Sequence, residues 1–307
     1  MSDSQWLAEQ FEAYRGHLRG VAYRMLGSLA DADDAVQDTW LRLSRGGADG
    51  VENLGGWLTT VCARVCLNML RSRARHPEDP AGTSLPDPVI GPAAAPEARP
   101  AGGPPPDEQA VLADSVGLAL LVVLDTLAPA ERLAFVLHDM FDLPFGEIAP
   151  VIGRTPAAAR QLASRARRRV SGAVPATPDR DPARQRRVVD AFLAAAREGD
   201  FDALVEVLDP GVVLRIDGGR RYRAASMTVR GSEAVARQAL TGLSSLLGAV
   251  DVHAAQVNGA AGIVVSRRGQ PITVMGFTVA GGRIAEIDSV ADPDRLARIA
   301  VIVPDGG

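Results

Sequence analysis

Lysine is absent from this chain of 307 residues, so all 33 of its strongly basic groups are guanidinium groups. An excess of positive charge is missing too. The acids number 37, and a formal net charge of −4 excludes a uniformly basic surface as the route to a nucleic-acid partner. Cysteine is scarce: Cys62 and Cys66 stand four apart on the apolar side of one helical stretch, where they read as small core residues and poor disulfide partners. No Cys/His/Asp cluster has metal-ligand spacing, and neither a metal nor another cofactor is expected. Long apolar runs are lacking as well; nothing approaches the roughly 20 residues that cross a bilayer. The amino-terminal "MSDSQWLAEQFEAY" has no basic segment leading into an apolar one. A cytoplasmic protein is expected.

What the chain has is local. Residues 31–38 hold four aspartates and no base, residues 64–75 four arginines and no acid, and residues 160–169 five arginines and no acid. Patches so separated can serve different partners although the sum is near zero. In "GWLTTVCARVCLNMLRSRARH", residues 56–76, a helical period gathers Leu58, Val61, Cys62, Val65, Cys66 and Met69 on one apolar arc. Trp57 projects from the opposite side, in line with Arg64, Asn68, Arg71 and Arg75.

The organisation follows from changes of period. Residues 1–76 read as a helical domain, with helices at 5–27, 31–44 and 55–74 and a possible break in the first. Residues 77–108 are dense in Pro and Gly and read as a flexible linker. A second helical domain spans 109–173. From 182 to 303 the text becomes α+β: helices at 183–198 and 200–208, then runs rich in Val and Ile at 211–217, 260–268 and 271–290, with a helix near 231–247. Pro271 is expected at a strand start or edge.

"LPFGEIAPVIGRTPAAARQLASRARRRV", residues 143–170, has the pattern of a helix-turn-helix. One helix ends near Ile152, Gly153 makes the turn, and Thr155 caps a second helix that has Pro156 at its first position. Ala158, Leu162, Ala166 and Val170 are expected to pack. Arg160, Gln161, Ser164, Arg165, Arg167 and Arg168 take the other side, and they are side chains suited to phosphates and major-groove base edges.

Together the two helical domains resemble the extracytoplasmic-function sigma factors of bacterial RNA polymerase. "LGSLADADDAVQDTWLRL", residues 26–43, is similar to that family's polymerase-binding segment, and the 56–75 stretch to the helix meeting the promoter −10 element. Residues 124–170 resemble the domain that meets the −35 element. The resemblance implies core RNA polymerase and promoter DNA as partners. It places Asp31, Asp34, Asp38, Trp40 and Leu41 on core polymerase, with Asp33 and Val36 beside them. It places Trp57, Arg64, Asn68, Arg71 and Arg75 at the −10 element, where arginines hold phosphates and an indole can take an unstacked base. Packing against a neighbouring helix is the other use open to Trp57. Thr155, Arg160, Gln161, Ser164, Arg165 and Arg168 fall at the −35 duplex.

The carboxyl-terminal part resembles a SnoaL-like domain of the NTF2 superfamily, a cone of helices on a curved sheet, as carried by the SigJ-like subgroup. Three short stretches are similar to that subgroup's motifs: Leu85-Pro86-Asp87-Pro88, Asp217-Gly218-Gly219-Arg220 and Asp292-Pro293-Asp294-Arg295-Leu296. They imply interdomain contacts through which the third domain regulates the other two. A cone cavity can admit a small-molecule ligand, and enzymes of the superfamily need an acid or base directed into it. Asp217, Glu286, Asp288 and His253 are the candidates, with Glu286 and Asp288 expected as surface carboxylates on a rim strand. No enzymatic activity is expected. The alternatives that stay open are a ligand-sensing helix-turn-helix regulator and a sigma-like protein with an enzymatic third domain.

Overall fold

The computed structural model describes residues 3–46, 51, 53–75, 84–92, 117–173, 178–219, 222, 225–244 and 250–299. They divide into two compact units, Met1–Pro80 with Leu120–Ala173, and Ala81–Ala119 with Val174–Gly307.

Apolar residues at helical spacing make the first unit. It begins with α1 (Asp3–Leu26), which is unbroken, then α2 (Leu29–Gly46) and α3 (Leu54–Arg75). Gly27 ends α1 in the left-handed region, φ 72°, and the Ser28 hydroxyl accepts the Asp31 N–H at 3.3 Å to start α2. Phe11, Leu18, Met25, Val36, Leu43, Leu58 and both cysteines fill the core between these helices. After α4 (Leu118–Asp125) and α5 (Pro129–Phe135), a π-helical turn (Val136–Met140) leads into α6 (Phe145–Ile152) and α7 (Pro156–Ala173). Gly153, φ 68°, turns α6 into α7, and the Thr155 hydroxyl accepts the Ala158 N–H at 3.3 Å.

The packing stripe of α7 differs from the one its sequence suggests. Ala159, Ala163 and Ala166 are fully buried, while Ala158, Leu162 and Val170 are half-buried. Steps of four alone drift about 40° each around a helix with 3.6 residues per turn, so a straight stripe must mix fours and threes. The two helical segments also meet. α3 packs against α5 and α6. Buried Arg132 of α5 donates from Nε to the Arg24 carbonyl of α1 at 3.2 Å and from Nη1 to Asp125 at 2.8 Å.

The second unit holds α8 (Pro182–Glu198), α9 (Phe201–Val207), β2 (Leu208–Asp217), β3 (Met227–Arg230), α10 (Ser232–Ser244), β4 (Asp251–Val257), β5 (Ala260–Arg267), β6 (Gln270–Ala280), β7 (Arg283–Val290) and α11 (Pro293–Leu296). Pro271 is the second residue of β6. A further strand, β1 (Ile90–Pro92), comes from the stretch expected to be a flexible linker and pairs antiparallel with β4. Residues 77–83 and 93–108 of that stretch lie outside the described residues. The sheet order is β1-β4-β5-β6-β7-β2-β3, antiparallel except for β2 beside β7. Asn258-Gly259, Arg268-Gly269 and Gly281-Gly282 have positive φ at both positions, as tight two-residue hairpins require. Register shifts within the β2–β7, β5–β6 and β6–β7 pairs curl the sheet into a cone over the helices. Phe192, Leu204, Val235, Ile263, Phe277 and Ile287 form its core.

Candidate nucleic-acid interface and linker clasp

On α2 the aspartates separate by face. Asp34, Asp38 and Leu41 are exposed, and they share a side with Gln37 at helical spacing. Asp31 and Asp33 instead hold the domain together: Asp31 pairs with Arg73 of α3, and Asp33 with Arg19 of α1 at 2.6 Å. Val36 is a core residue, 1 % exposed, and cannot anchor a partner. Trp40 is half-buried, its ring 5.2 Å from that of Phe11.

On α3, Arg64, Asn68, Arg71 and Arg75 are all exposed and Trp57 is half-buried. Among the described residues none of these arginines pairs with a carboxylate, in contrast to Arg73, which also donates to the Leu26 carbonyl at 3.3 Å. On α7, Arg160, Gln161, Arg165 and Arg168 are exposed and Ser164 is half-buried. Arg160 lies 5.4 Å over the Phe145 ring of α6. Arg167, expected on the same side, is turned to Asp139 at 2.5 Å, and Arg169 to Glu131 at 3.1 Å. Two faces are thus left with guanidinium groups and amides and no carboxylate partner among the described residues.

The three short motifs of the second unit converge. Arg295 of α11 donates from Nε to Asp87 (2.7 Å), from Nη1 to Asp217 (2.6 Å) and from Nη2 to the Leu85 carbonyl (2.7 Å). The Leu85 N–H returns a bond to Asp217 at 2.9 Å. Pro86 and Pro88 are buried around this knot, and Val89 and Asn258 exchange two bonds at 3.0 and 2.8 Å just beyond it. Asp292 caps α11, accepting from the Asp294 and Arg295 N–H groups, with Pro293 at the first helical position and Leu296 buried beneath. The Asp294 carboxylate points outward. Gly218 donates to Ser226 at 3.1 Å. Gly219, φ 67°, lies so close to Asp292 that a Cβ would overlap its carboxylate. Arg295 is the residue that sequence reasoning passed over, although it is the one base inside the third motif. Asn258 gave no signal beyond its Asn-Gly turn.

The carboxylates weighed as catalytic groups lie elsewhere than expected. Glu286 and Asp288 are 3 % and 2 % exposed, not on a surface rim, and Arg215 donates to both at 2.9 Å. Alternation along β7 and β2 sends them, with Asp217, to the face opposite Ile287, Ser289, Leu214 and Ile216. Those four residues border a cavity of about 210 Å³ between sheet and helices, with no charged residue in its lining among the described residues. His253 shares a bond of 3.0 Å with Ser266 and is not in that lining either.

Residues 10–76 match the Sigma-70 region 2 family and residues 117–170 the Sigma-70, region 4 family. The chain is 40% identical over 301 residues to the ECF RNA polymerase sigma factor SigJ of Mycobacterium tuberculosis, spanning 94% of this chain and 92% of that one. This chain belongs to the extracytoplasmic-function sigma factors. A probable sigma factor SigI from the same species is 38% identical over 220 residues, 71% of this chain and 72% of its own. The crystal structure of M. tuberculosis SigJ superposes with a TM-score of 0.74 at 35% identity, covering 95% of this chain and 99% of that one. The sigma factor thus consists of two all-α sigma domains, the second with a helix-turn-helix, and a third, α+β domain whose curved sheet packs on helices. No helix among its described residues is long and apolar enough to cross a membrane.

The charge cluster under the cone gives this sigma factor a pH dependence. Burial, with repulsion from Glu286 added, pushes the Asp288 carboxyl up from 3.8 to about 6 against the pull of Arg215. The folded state therefore keeps a proton that the unfolded chain has lost, and the stability this supplies is present below about pH 4 and gone above about pH 6. Asp288→Asn cannot titrate. Its melting temperature relative to the unaltered protein should climb between about pH 4.5 and pH 7 and then level off. Parallel profiles would show that Asp288 is ionised in the fold throughout.

Proposed function

We propose that this sigma factor uses the exposed side of α2 on core RNA polymerase, the arginine face of α3 at the −10 element and the outer face of α7 at the −35 duplex. The observation that carries this reading is the sorting of charge. Side chains needed for internal pairing are paired, while Asp34, Asp38 and Leu41, then Arg64, Asn68, Arg71 and Arg75, then Gln161, Arg165 and Arg168 stay at the surface. Asp31 supports α2 from within, and Trp40 contributes its outer edge. Trp57 borders the −10 face, while Thr155, Arg160 and Ser164 frame the reading edge of α7. Replacing Asp38 and Leu41 together by alanine should weaken binding to core polymerase by about 10- to 100-fold, with helicity intact. Equal titration curves would remove α2 from the interface.

The two DNA faces should respond differently. Gln161→Ala should cost about 1–3 kcal/mol at one −35 position and relax the preference there. Arg168→Ala should weaken binding to all sequences alike and lower the salt slope by about one. A uniform loss in both variants would deny Gln161 a role in base readout.

We further propose that the third domain regulates in cis by holding the chain between the two sigma domains. The first unit, about 130 residues, packs both sigma domains together. A body of that size has a radius of gyration of about 14 Å and is under about 40 Å across. Elements named −10 and −35 lie about 25 base pairs apart, or about 85 Å at 3.4 Å per step. The packed arrangement cannot reach both, so the connection between α3 and α4 has to let them part. Arg295 fastens Leu85 and Asp87 of that connection to the cone. Arg295→Ala takes from half-buried Asp87 and buried Asp217 the base they share and so loosens this hold. At equal folded concentration it should raise core binding and promoter output in vitro, with Arg298→Ala, on the exposed side of the same segment, as the control. Superimposable transcription curves would leave the clasp a purely structural part. The third domain is read as non-catalytic, a reading supported by the lack of an acid or base among the described residues that line its cavity.

A further inference from the structure

The cone cavity is continuous with the clasp through two residues. Ile216 and Ala291 both line it. The next residue after Ile216 is Asp217, which holds Arg295 and Leu85; the next after Ala291 is Asp292, which caps α11. The Ala291 N–H also donates to the Asp217 carbonyl at 2.7 Å, tying the two segments at that end of the cavity. Anything that braces Ile216 and Ala291 therefore braces both halves of the clasp.

The lining specifies what such a molecule must be. Phe192, Leu193, Val252, Ile263 and Met275 give it an apolar body, and among the described residues no charged side chain lines it. An ionised ligand would shed its water and meet no countercharge among the described lining residues. Among the described residues three polar side chains line the cavity: Gln238 on α10, Thr273 on β6 and Ser289 on β7. The Thr273 hydroxyl donates to the Ile272 carbonyl at 2.7 Å and keeps only its acceptor capacity, so Gln238 and Ser289 are the handles that can both donate and accept. An apolar cavity of about 150 Å³ holds benzene. The 210 Å³ here suits a ring or short chain of about eight to ten heavy atoms with one hydroxyl or carbonyl.

We propose that the cone is the receptor for an uncharged, mainly apolar small molecule with a single hydrogen-bonding group, and that its occupancy tightens the clasp on the linker. The tightening matters for transcription only through the cis regulation proposed above, on which that consequence rests. The acids of the sheet serve the clasp side, and the cavity side binds without reacting.

The test uses the full chain and two probes of nine heavy atoms each, 4-ethylphenol, which is neutral at pH 7, and benzoate, which is not. Titration calorimetry should give a Kd below about 1 mM for the phenol and at least 100-fold weaker binding for the benzoate. Ala239→Phe, which fills the cavity from the half-buried face of α10, should abolish phenol binding. If that variant does not fold, the two-probe comparison on the unaltered chain still decides. Hydrogen exchange at the Leu85 and Val89 amides, bonded to Asp217 and Asn258, reports the clasp. With phenol at ten times its Kd, those amides should exchange up to about 10-fold more slowly. Absent or equal binding of the two probes, or exchange that ignores a bound phenol, overturns the proposal. Binding and slowed exchange with unaltered transcription would uphold the site and sink the regulatory reading alone.

Discussion

One guanidinium group ties together chain segments more than 200 residues apart in sequence. Arg295 can do this because its donors form a planar fork: two nitrogens serve carboxylates from different segments while a third serves a backbone carbonyl. An ammonium has three donors on one atom and could not span Asp87, Asp217 and Leu85 at once. The contact also explains the glycine at 219, where any side chain would displace Asp292 and with it the cap of the helix that presents Arg295. With Leu85–Ile90 held there, the domain last in sequence sits on the connection between the first two. That topology, rather than any surface of the cone, is what makes regulation in cis physically reasonable.

Arginine carries every strong base in this protein, so partner availability decides what each one does. Arg19, Arg73, Arg132, Arg167, Arg215 and Arg295 all have a carboxylate within reach and act as internal fasteners. Those on the outer faces of α3 and α7 have none among the described residues. On the reading proposed above, a nucleic acid would supply the missing anion, and released counterions much of the affinity. The near-neutral sum of charges is the outcome of this division and carries no information about binding.

Much of the architecture was legible because helices of the first unit obey one period. The bounds of α1, α2 and α3, the Gly153 turn and the Thr155 cap follow from local rules on apolar spacing and termini. The strands that escaped notice are those whose side chains are small or mixed, such as β4 with His253, Ala254, Ala255 and Gln256. β1 escaped because Pro-rich text reads as linker, and only a tertiary partner makes three of its residues a strand. Site residues divide in the same way. Periodicity identifies the exposed face of α3, but no local rule tells that Asp31 or Arg167 will find an internal partner, or that Val36 faces inward. The three motifs were visible as text; their meeting point depends on contacts between distant segments.

The register of β7 gives the cone its chemical character. Successive side chains alternate between the cavity and the opposite face, so Ile287 and Ser289 line the cavity while Glu286 and Asp288 reach Arg215. A slip of one residue would exchange the two sets, placing two carboxylates in an apolar chamber and two neutral side chains against an arginine. Pairing with β2 and β6 on either side opposes that slip, and the ion triad opposes it again, since Arg215 would be left buried without an anion. The same alternation that turns Glu286 and Asp288 away from the cavity turns Asp217 to the linker segment at Leu85. One residue of register thus decides whether these carboxylates face the cavity or, as here, Arg215 and the linker segment.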